Sequence, residues 1–163
     1  MARAFNGSSQ YLSGASTLLT NEPIDFISYG NSTSIAAAQA TVALGNNGAN
    51  GNFTSAFRGD IASDPVEALK QSDAASTGAA RTSSGYSVST WYVLGAKFIS
   101  DTSRAAFLNG ASKVSDATNI ADPSPDFVSI GAILRSSAAQ LLAGAVAEAY
   151  ILDVNMTDAQ HAL

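Results

Sequence analysis

The side chains of this chain that could do chemistry are its acids and its single histidine. Asp60, Asp64 and Glu67 form the densest acidic cluster, next to a glycine and a proline. Two carboxylates hydrolyse glycosides when they lie about 5–10 Å apart. Acids beside glycine and proline in loops are usually turn formers, because Asp accepts hydrogen bonds from nearby amides. The pattern therefore favours a turn, with Asp60 and Asp64 as metal-ligand candidates.

The remaining titratable candidates have no obvious partner. His161 lies at the end of the chain, where a histidine is rarely a general base, so we expect a solvated or helix-end side chain. Glu148 stands alone in an apolar run, which predicts hydrogen bonds to its carboxylate or an open face. The sequence thus predicts no catalytic centre and a protein that is not an enzyme.

Oxygen-rich loops are the second kind of candidate site, because calcium takes several oxygen ligands. The side chains that could converge from two loops are Asn46, Asn47, Asn50, Asp60 and Asp64. The spacing of an EF-hand is absent, and so is a phosphate-binding glycine motif. Calcium is accordingly the one cofactor that the pattern allows.

A sugar would use polar and aromatic side chains near the loop rim. The candidate residues for such a ligand are Asn50, Asn52, Arg58 and Tyr86. Tyr86 follows a Ser/Gly-rich loop, so we expect it to be the most exposed tyrosine. Trp91 lies in an apolar strand pattern and is expected to pack in the core.

Composition excludes several classes of partner. Only 13% of the 163 residues are charged, against about 25% in typical domains, and the net charge is -5. A negatively charged chain is not attracted to a polyanion, so the composition disfavours nucleic acid as a partner. There are no cysteines, so disulfides and thiolate metal sites are excluded. Neither a signal peptide nor an apolar run near 18 residues is found, which predicts synthesis in the cytoplasm and no membrane partner.

Short apolar runs separated by Gly, Ser, Asn, Asp and Pro predict an all-β sandwich, with residues 1–163 as one domain. Residues 46–52 and 72–85 are predicted loops, and 35–40 and 137–142 are predicted loops or strand edges with a turn of helix. The predicted strands are Arg3 to Asn6, Ser9 to Ser13, Ile24 to Tyr29, Thr41 to Gly45, Asn52 to Arg58, Val66 to Lys70, Trp91 to Ile99, Ser103 to Asn109, Ala111 to Ser115, Phe127 to Gly131 and Ala143 to Val154.

Two local signals are sharper than the strand pattern. Asn109-Gly110 tolerates positive φ at both central positions of a type I′ turn, which predicts a hairpin. Thr157 and Gln160 have the spacing of a capping box, which predicts a short C-terminal helix.

The order and spacing of these runs resemble a known family. The segments that carry the resemblance are Phe5 to Leu12, Ile24 to Tyr29, Val42 to Gly45, Trp91 to Val93, Thr102 to Gly110, Val128 to Gly131 and Gly144 to Glu148. Together they resemble the laminin-G-like, concanavalin-A-like jelly-roll domains over nearly the whole chain. The resemblance implies two stacked antiparallel sheets whose curved face and rim hold sugars, calcium or protein partners. The Glu-x-Asp-x-x-Glu motif of hydrolases with this fold is absent.

Two roles are consistent with such a domain. A jelly roll without a signal peptide that is rich in Ala, Ser, Gly and Asn resembles an accessory protein of a bacteriophage virion, which decorates the capsid or forms a fibre or tail surface. That role implies a virion location, coat protein as partner and a homo-oligomer. The alternative is a lectin-like module that binds a glycan, with or without calcium.

Overall fold

Backbone pairing organises the chain into two six-stranded antiparallel sheets. The computed structural model describes residues 1–16, 21–73 and 76–162. The strands and the helix of this described part are β1 (Arg3–Asn6), β2 (Leu12–Ala15), β3 (Ile24–Ser32), β4 (Ala38–Gly45), β5 (Asn52–Arg58), β6 (Pro65–Gln71), β7 (Thr77–Gly85), β8 (Tyr92–Ser100), β9 (Ser103–Leu108), β10 (Ala111–Asp116), β11 (Phe127–Ile130), β12 (Ile133–Leu134), β13 (Ala138–Ala139), β14 (Ala143–Leu152) and α1 (Asp158–His161).

The first sheet has the strand order β1-β14-β3-β8-β9-β10. Side chains alternate between the two faces of a strand. On β3, Ile24 and Phe26 are buried in the core, whereas Asp25 and Tyr29 belong to the opposite, outer face. A bulge between Val146 and Glu148 shifts the register of β14 against β3. The outer face of this sheet therefore carries alternate residues of β3, β8 and β14.

The second sheet has the order β2-β11-β4-β5-β6-β7, and a hairpin of β12 and β13 lies over its outer face. Ile133 of this hairpin packs on Ala40 and Ala43 of β4. Gly45 allows the close approach, because a Cβ atom there would lie 1.8 Å from the carbonyl oxygen of Leu134. The hairpin is thus seated directly on the sheet.

Aromatic rings fill the space between the sheets. Phe98 packs edge-on against Phe26 and Phe53, at centroid distances of 5.5 and 5.0 Å. Lys70 is also buried there, and its ammonium group pairs with Glu22 at 2.8 Å and with Asp101 at 2.7 Å. A buried cation needs such partners, because its desolvation costs several kcal/mol.

The predicted all-β sandwich is confirmed, and most strands lie where the sequence places them. The strand β7 corrects the prediction of a loop over 72–85, of which residues 74 and 75 lie outside the described part. Its Gly78, Ala80 and Thr82 alternate into the interior, so small side chains line the inner face of this strand. Gly78 meets the guanidinium of Arg104, which leaves no room for a Cβ atom. This packing is invisible to a pattern that looks for large apolar residues.

Both sharp local signals are confirmed. Asn109 and Gly110 have φ values of 52° and 67°, and they join β9 to β10. Thr157 caps α1 reciprocally with Gln160, as the capping box requires. Within the described residues, no helix has the length and apolar character needed to cross a membrane.

Candidate functional site

The end of β5 carries a compact group of charged side chains. Arg58 donates to both carboxylate oxygens of Asp60, at 2.8 and 2.9 Å, and to Glu67 at 2.5 Å. Arg81 of β7 approaches the other oxygen of Glu67 at 2.6 Å. The hydrogen bond from Arg58 lowers the pKa of Asp60 below its ordinary value. These acids are already neutralised by arginines, so the group is a closed ion network.

The predicted calcium ligands do not converge. Asp64 lies in a turn with φ 44°, and its amide donates to Ile61 at 3.1 Å. Asn46 lies beyond the other end of β5, about 20 Å away for a strand of this length, where its carboxamide donates to Pro123 and Ser124. In the described ranges, no group of three or more His, Cys, Asp or Glu side chains could hold a metal ion. The convergence expected from the two loops is therefore wrong.

Two of the predicted sugar ligands lie together at the start of β5. Asn50 accepts a hydrogen bond of 2.8 Å from the Ser136 hydroxyl, which ties the loop before β5 to the β12–β13 hairpin. Asn52 is fully buried, and its amide donates to Thr54 at 2.8 Å. The carboxamide oxygen of Asn52 has no hydrogen-bond partner. Such a buried acceptor without a donor costs about 1–3 kcal/mol.

Arg135 extends from the same hairpin across the sheet. Its guanidinium donates to the side-chain oxygen of Gln71 at 3.2 Å, and Gln71 pairs in register with Asn52 on the neighbouring strand. None of the carboxylates that the structure describes lies within ion-pair distance of this half-buried cation. Burial lowers the pKa of Arg135, because little in its surroundings compensates the charge. We call Asn50, Asn52, Gln71, Arg135 and Ser136 the polar corner.

Sequence reasoning missed Arg135, although a signal existed. It is the only charged residue between Asp126 and Glu148, so no acid nearby in the chain could neutralise it. Arg58, by contrast, lies at the far end of β5 and does not belong to the polar corner.

Tyr86 is a core residue, which corrects the expectation that it is the most exposed tyrosine. It is 4% exposed and packs against Phe57, with ring centroids 4.6 Å apart. Its hydroxyl donates to the carbonyl of Ser34 at 2.9 Å. The end of β7 before it is polar and exposed, and the chain turns inward only at Tyr86. Tyr86 is therefore unavailable to a sugar.

We expect one tyrosine to titrate near pH 12. Burial raises the pKa of Tyr86 from 10.0 to about 12. The folded state then holds this proton to higher pH than the unfolded chain, so the contribution to stability is complete below pH 10 and is lost as the pH rises through about 12. Ultraviolet titration of tyrosinate should lose this last step in Tyr86→Phe. An unchanged curve would contradict the burial.

Aromatic side chains gather on the outer face of the first sheet. Tyr29 and Tyr150 are 42% and 51% exposed, and Trp91 packs against Tyr29 with a centroid distance of 5.0 Å. Its apolar neighbours in sequence predicted that Trp91 packs in the core. This prediction is wrong, because Trp91 is only half-buried. The Tyr150 hydroxyl donates to Glu148 at 3.0 Å. We call Tyr29, Trp91, Glu148 and Tyr150 the aromatic face.

His161 ends α1, as the helix-end alternative predicted, but it is not solvated, because α1 folds back onto the outer face of the first sheet. His161 is 4% exposed, and its Nε2 lies 2.8 Å from Asp25. Its ring stacks on Phe107 at 4.3 Å, over Gly95. The imidazole of His161 and the carboxylate of Asp25 are both buried, so their contact attaches α1 to the sheet.

A 290 Å³ apolar groove lies between β2 and β11. Its lining includes Leu12, Val128 and Ile130 and no charged side chain. The groove offers burial to an apolar group but no chemistry.

Solved structures share this fold. A sialidase mutant from Streptococcus pneumoniae has a TM-score of 0.74 and 16% identity over 99% of this chain, which spans 27% of the sialidase. The CBM40 of the Ruminococcus gnavus IT-sialidase, bound to α2,3-sialyllactose, has a TM-score of 0.73 and 14% identity, and the match covers 99% of this chain and 96% of that one. A heptameric SAP-like pentraxin from Limulus polyphemus has a TM-score of 0.73 and 12% identity, with coverages of 99% and 79%.

These similarities confirm the concanavalin-A-like jelly roll, and at such identities they show the fold alone. No protein-family model and no curated protein matches the chain. The structural neighbours include a CBM40 and a pentraxin, and they do not test the virion role. The virion location, the capsid partner and the absence of catalysis stay predictions.

Proposed function

We propose that this chain is a carbohydrate-binding domain that recognises an acidic sugar at the polar corner. The observation that carries the proposal is the half-buried guanidinium of Arg135, which has no carboxylate partner among the described residues. A cation placed in this way gains most from an anionic ligand, because the charge is already partly desolvated.

The exposed tip of the hairpin adds the complementary chemistry. Asn52 is as inaccessible to a sugar as Tyr86, so it supports the polar corner from below, whereas Ser136 is exposed. A sugar hydroxyl bonds to the hydroxyl of Ser136, while a sugar carboxylate forms two parallel hydrogen bonds with the guanidinium of Arg135. An acidic sugar carries both a hydroxyl and a carboxylate, whereas a simple anion supplies only the negative charge.

The hairpin holds the arginine in place. The bond between Ser136 and Asn50 fixes the hairpin tip, and Gln71 orients the guanidinium. Less side-chain entropy is then lost on binding. The CBM40 of Ruminococcus gnavus, which has the same fold, is bound in its structure to a sialyllactose, a sugar with a carboxylate. This similarity supports the class of ligand and not its identity.

A glycan array and calorimetry test the proposal. We expect binding to glycans that end in a carboxylated sugar and none to their neutral counterparts. Arg135→Gln should weaken binding about 10- to 100-fold, because hydrogen bonds to charged groups contribute about 1.5–3 kcal/mol. Arg3→Gln removes an exposed arginine on β1 and serves as the matched control. Equal binding of acidic and neutral glycans, or unchanged binding by Arg135→Gln, would contradict the proposal.

We further propose that this binding needs no calcium. Asp60 is held by Arg58, and Asp64 lies in a separate turn, so neither supplies a cluster of free oxygens. Binding measured in excess chelator should match binding in millimolar calcium. A loss in chelator would instead favour the calcium-assisted lectin.

A further inference from the structure

Glu148 is an exposed carboxylate set between aromatic rings. It lies opposite Tyr29 in the β14–β3 register, and Tyr150 follows it two residues later on the same strand. Directly opposed side chains on one face of a sheet have Cβ atoms about 4.5–5.5 Å apart. Any group that pairs with Glu148 is therefore within reach of the Tyr29 ring as well.

The carboxylate has no cationic partner in the part of the chain that the structure describes. The hydroxyl of Tyr150 donates to one oxygen of Glu148, and this hydrogen bond raises the pKa of Tyr150. Arg3 on the adjacent strand β1 pairs in register with Val146 and forms no ion pair with any described residue. The net charge of -5 adds a general attraction for cations.

We propose that the aromatic face binds an arginine side chain of a partner polypeptide. A planar guanidinium donates to a carboxylate while its flat surface stacks on a tyrosine or tryptophan ring. The face supplies both parts at once: a carboxylate at Glu148 and ring surfaces at Tyr29 and Tyr150. This site does not depend on the proposed sugar site, which lies on the outer face of the other sheet.

Charge separates this ligand from a sugar. The carboxylate of Glu148 repels an acidic sugar, so the aromatic face and the polar corner select opposite charges. A neutral sugar would stack on the rings but would gain nothing from the ionised form of Glu148 beyond a hydrogen bond. Dependence on the charge of Glu148 therefore distinguishes an arginine from a neutral sugar.

Trp91 provides a direct reporter, because it is the only tryptophan of the chain and touches Tyr29. We expect N-acetyl-arginine amide to change its fluorescence in a saturable way at constant ionic strength. N-acetyl-citrulline amide has nearly the same shape without the charge and should give a response at least about threefold weaker. An equal response to citrulline, or a saturable response of equal affinity to methyl glucoside, would overturn the proposal.

Matched variants complete the test. Glu148→Gln should weaken arginine binding about three- to tenfold, since a charge-assisted pair is roughly twice as strong as a neutral one. Asp153→Asn removes the same charge from an exposed position just beyond β14 and should have no effect. Arg135→Gln should also leave arginine binding unchanged, so failure at one site is distinguishable from failure at the other. Equal affinities of Glu148→Gln and the unmodified protein would refute the site.

Discussion

Arg104→Ala should lower the free energy of unfolding by about 3–5 kcal/mol, because it breaks a buried charged network. Arg104 is 1% exposed, and its guanidinium pairs with Asp116. It also donates to the carbonyl oxygens of Asp101 at 2.8 Å and Thr118 at 2.7 Å. The substitution removes the cation beside Asp116 and leaves the carbonyl of Thr118 without its donor, although Ile120 still donates to Asp101 and Thr118 to Asp116. It also opens a cavity beside Gly78. The lost interactions and the cavity both lower the free energy of unfolding.

Urea denaturation followed by circular dichroism measures this loss. Arg3→Ala is the control, because it removes an exposed arginine of the first sheet and should change the free energy of unfolding by less than about 0.5 kcal/mol. A loss below about 1 kcal/mol in Arg104→Ala would show that water replaces the guanidinium readily, which the burial of Arg104 excludes.

The sheet pattern follows from the sequence where a strand is apolar or follows a sharp turn signal. The bounds predicted for β5, residues 52–58, match the structure, because the polar, glycine-containing segments on either side mark its ends locally. The hairpin at Asn109-Gly110 is equally local, since the φ values of these two residues decide it.

Long-range packing limits what the sequence could predict. The interior positions of β7 are small because Arg104 fills the space next to Gly78, and this arginine lies on the facing sheet. His161 is buried because α1 folds back onto Asp25, a residue far away in the chain. Neither contact produces a periodic pattern in the sequence that could be used to predict it.

The candidate site could be predicted only in part for the same reason. Asn50 and Asn52 were identified by residue type, and the structure brings them together. Arg135 joins them only because a hairpin crosses the outer face of the sheet, and Tyr86 is excluded because its ring packs on Phe57 in the core just after β7 ends. Tertiary contacts, and not local pattern, decide which polar groups lack partners.

Gly45→Ala should displace the hairpin that carries Arg135 and thereby weaken both the fold and sugar binding. A Cβ atom at this position would lie 1.8 Å from the carbonyl oxygen of Leu134, which is backbone and cannot rotate away. Overpacking of this kind costs about 1–3 kcal/mol. Relief of the clash moves β12 off β4, so the bond between Arg135 and Gln71 is lost. We expect the affinity for an acidic glycan to fall at least about tenfold.

Gly48→Ala is a closely matched control for this prediction. It lies three residues further along in an exposed turn, where an added Cβ atom would make only a 3.5 Å contact with Asn46. It should be neutral, or stabilise slightly by restricting the unfolded chain. Scanning calorimetry measures the stability of both variants and titration calorimetry measures their glycan affinity, so the effect of the hairpin on the fold is separated from its effect on binding. If Gly45→Ala were destabilised but bound the glycan with unchanged affinity, the hairpin would stabilise the sheet without positioning the ligand, and the sugar site would have to lie elsewhere.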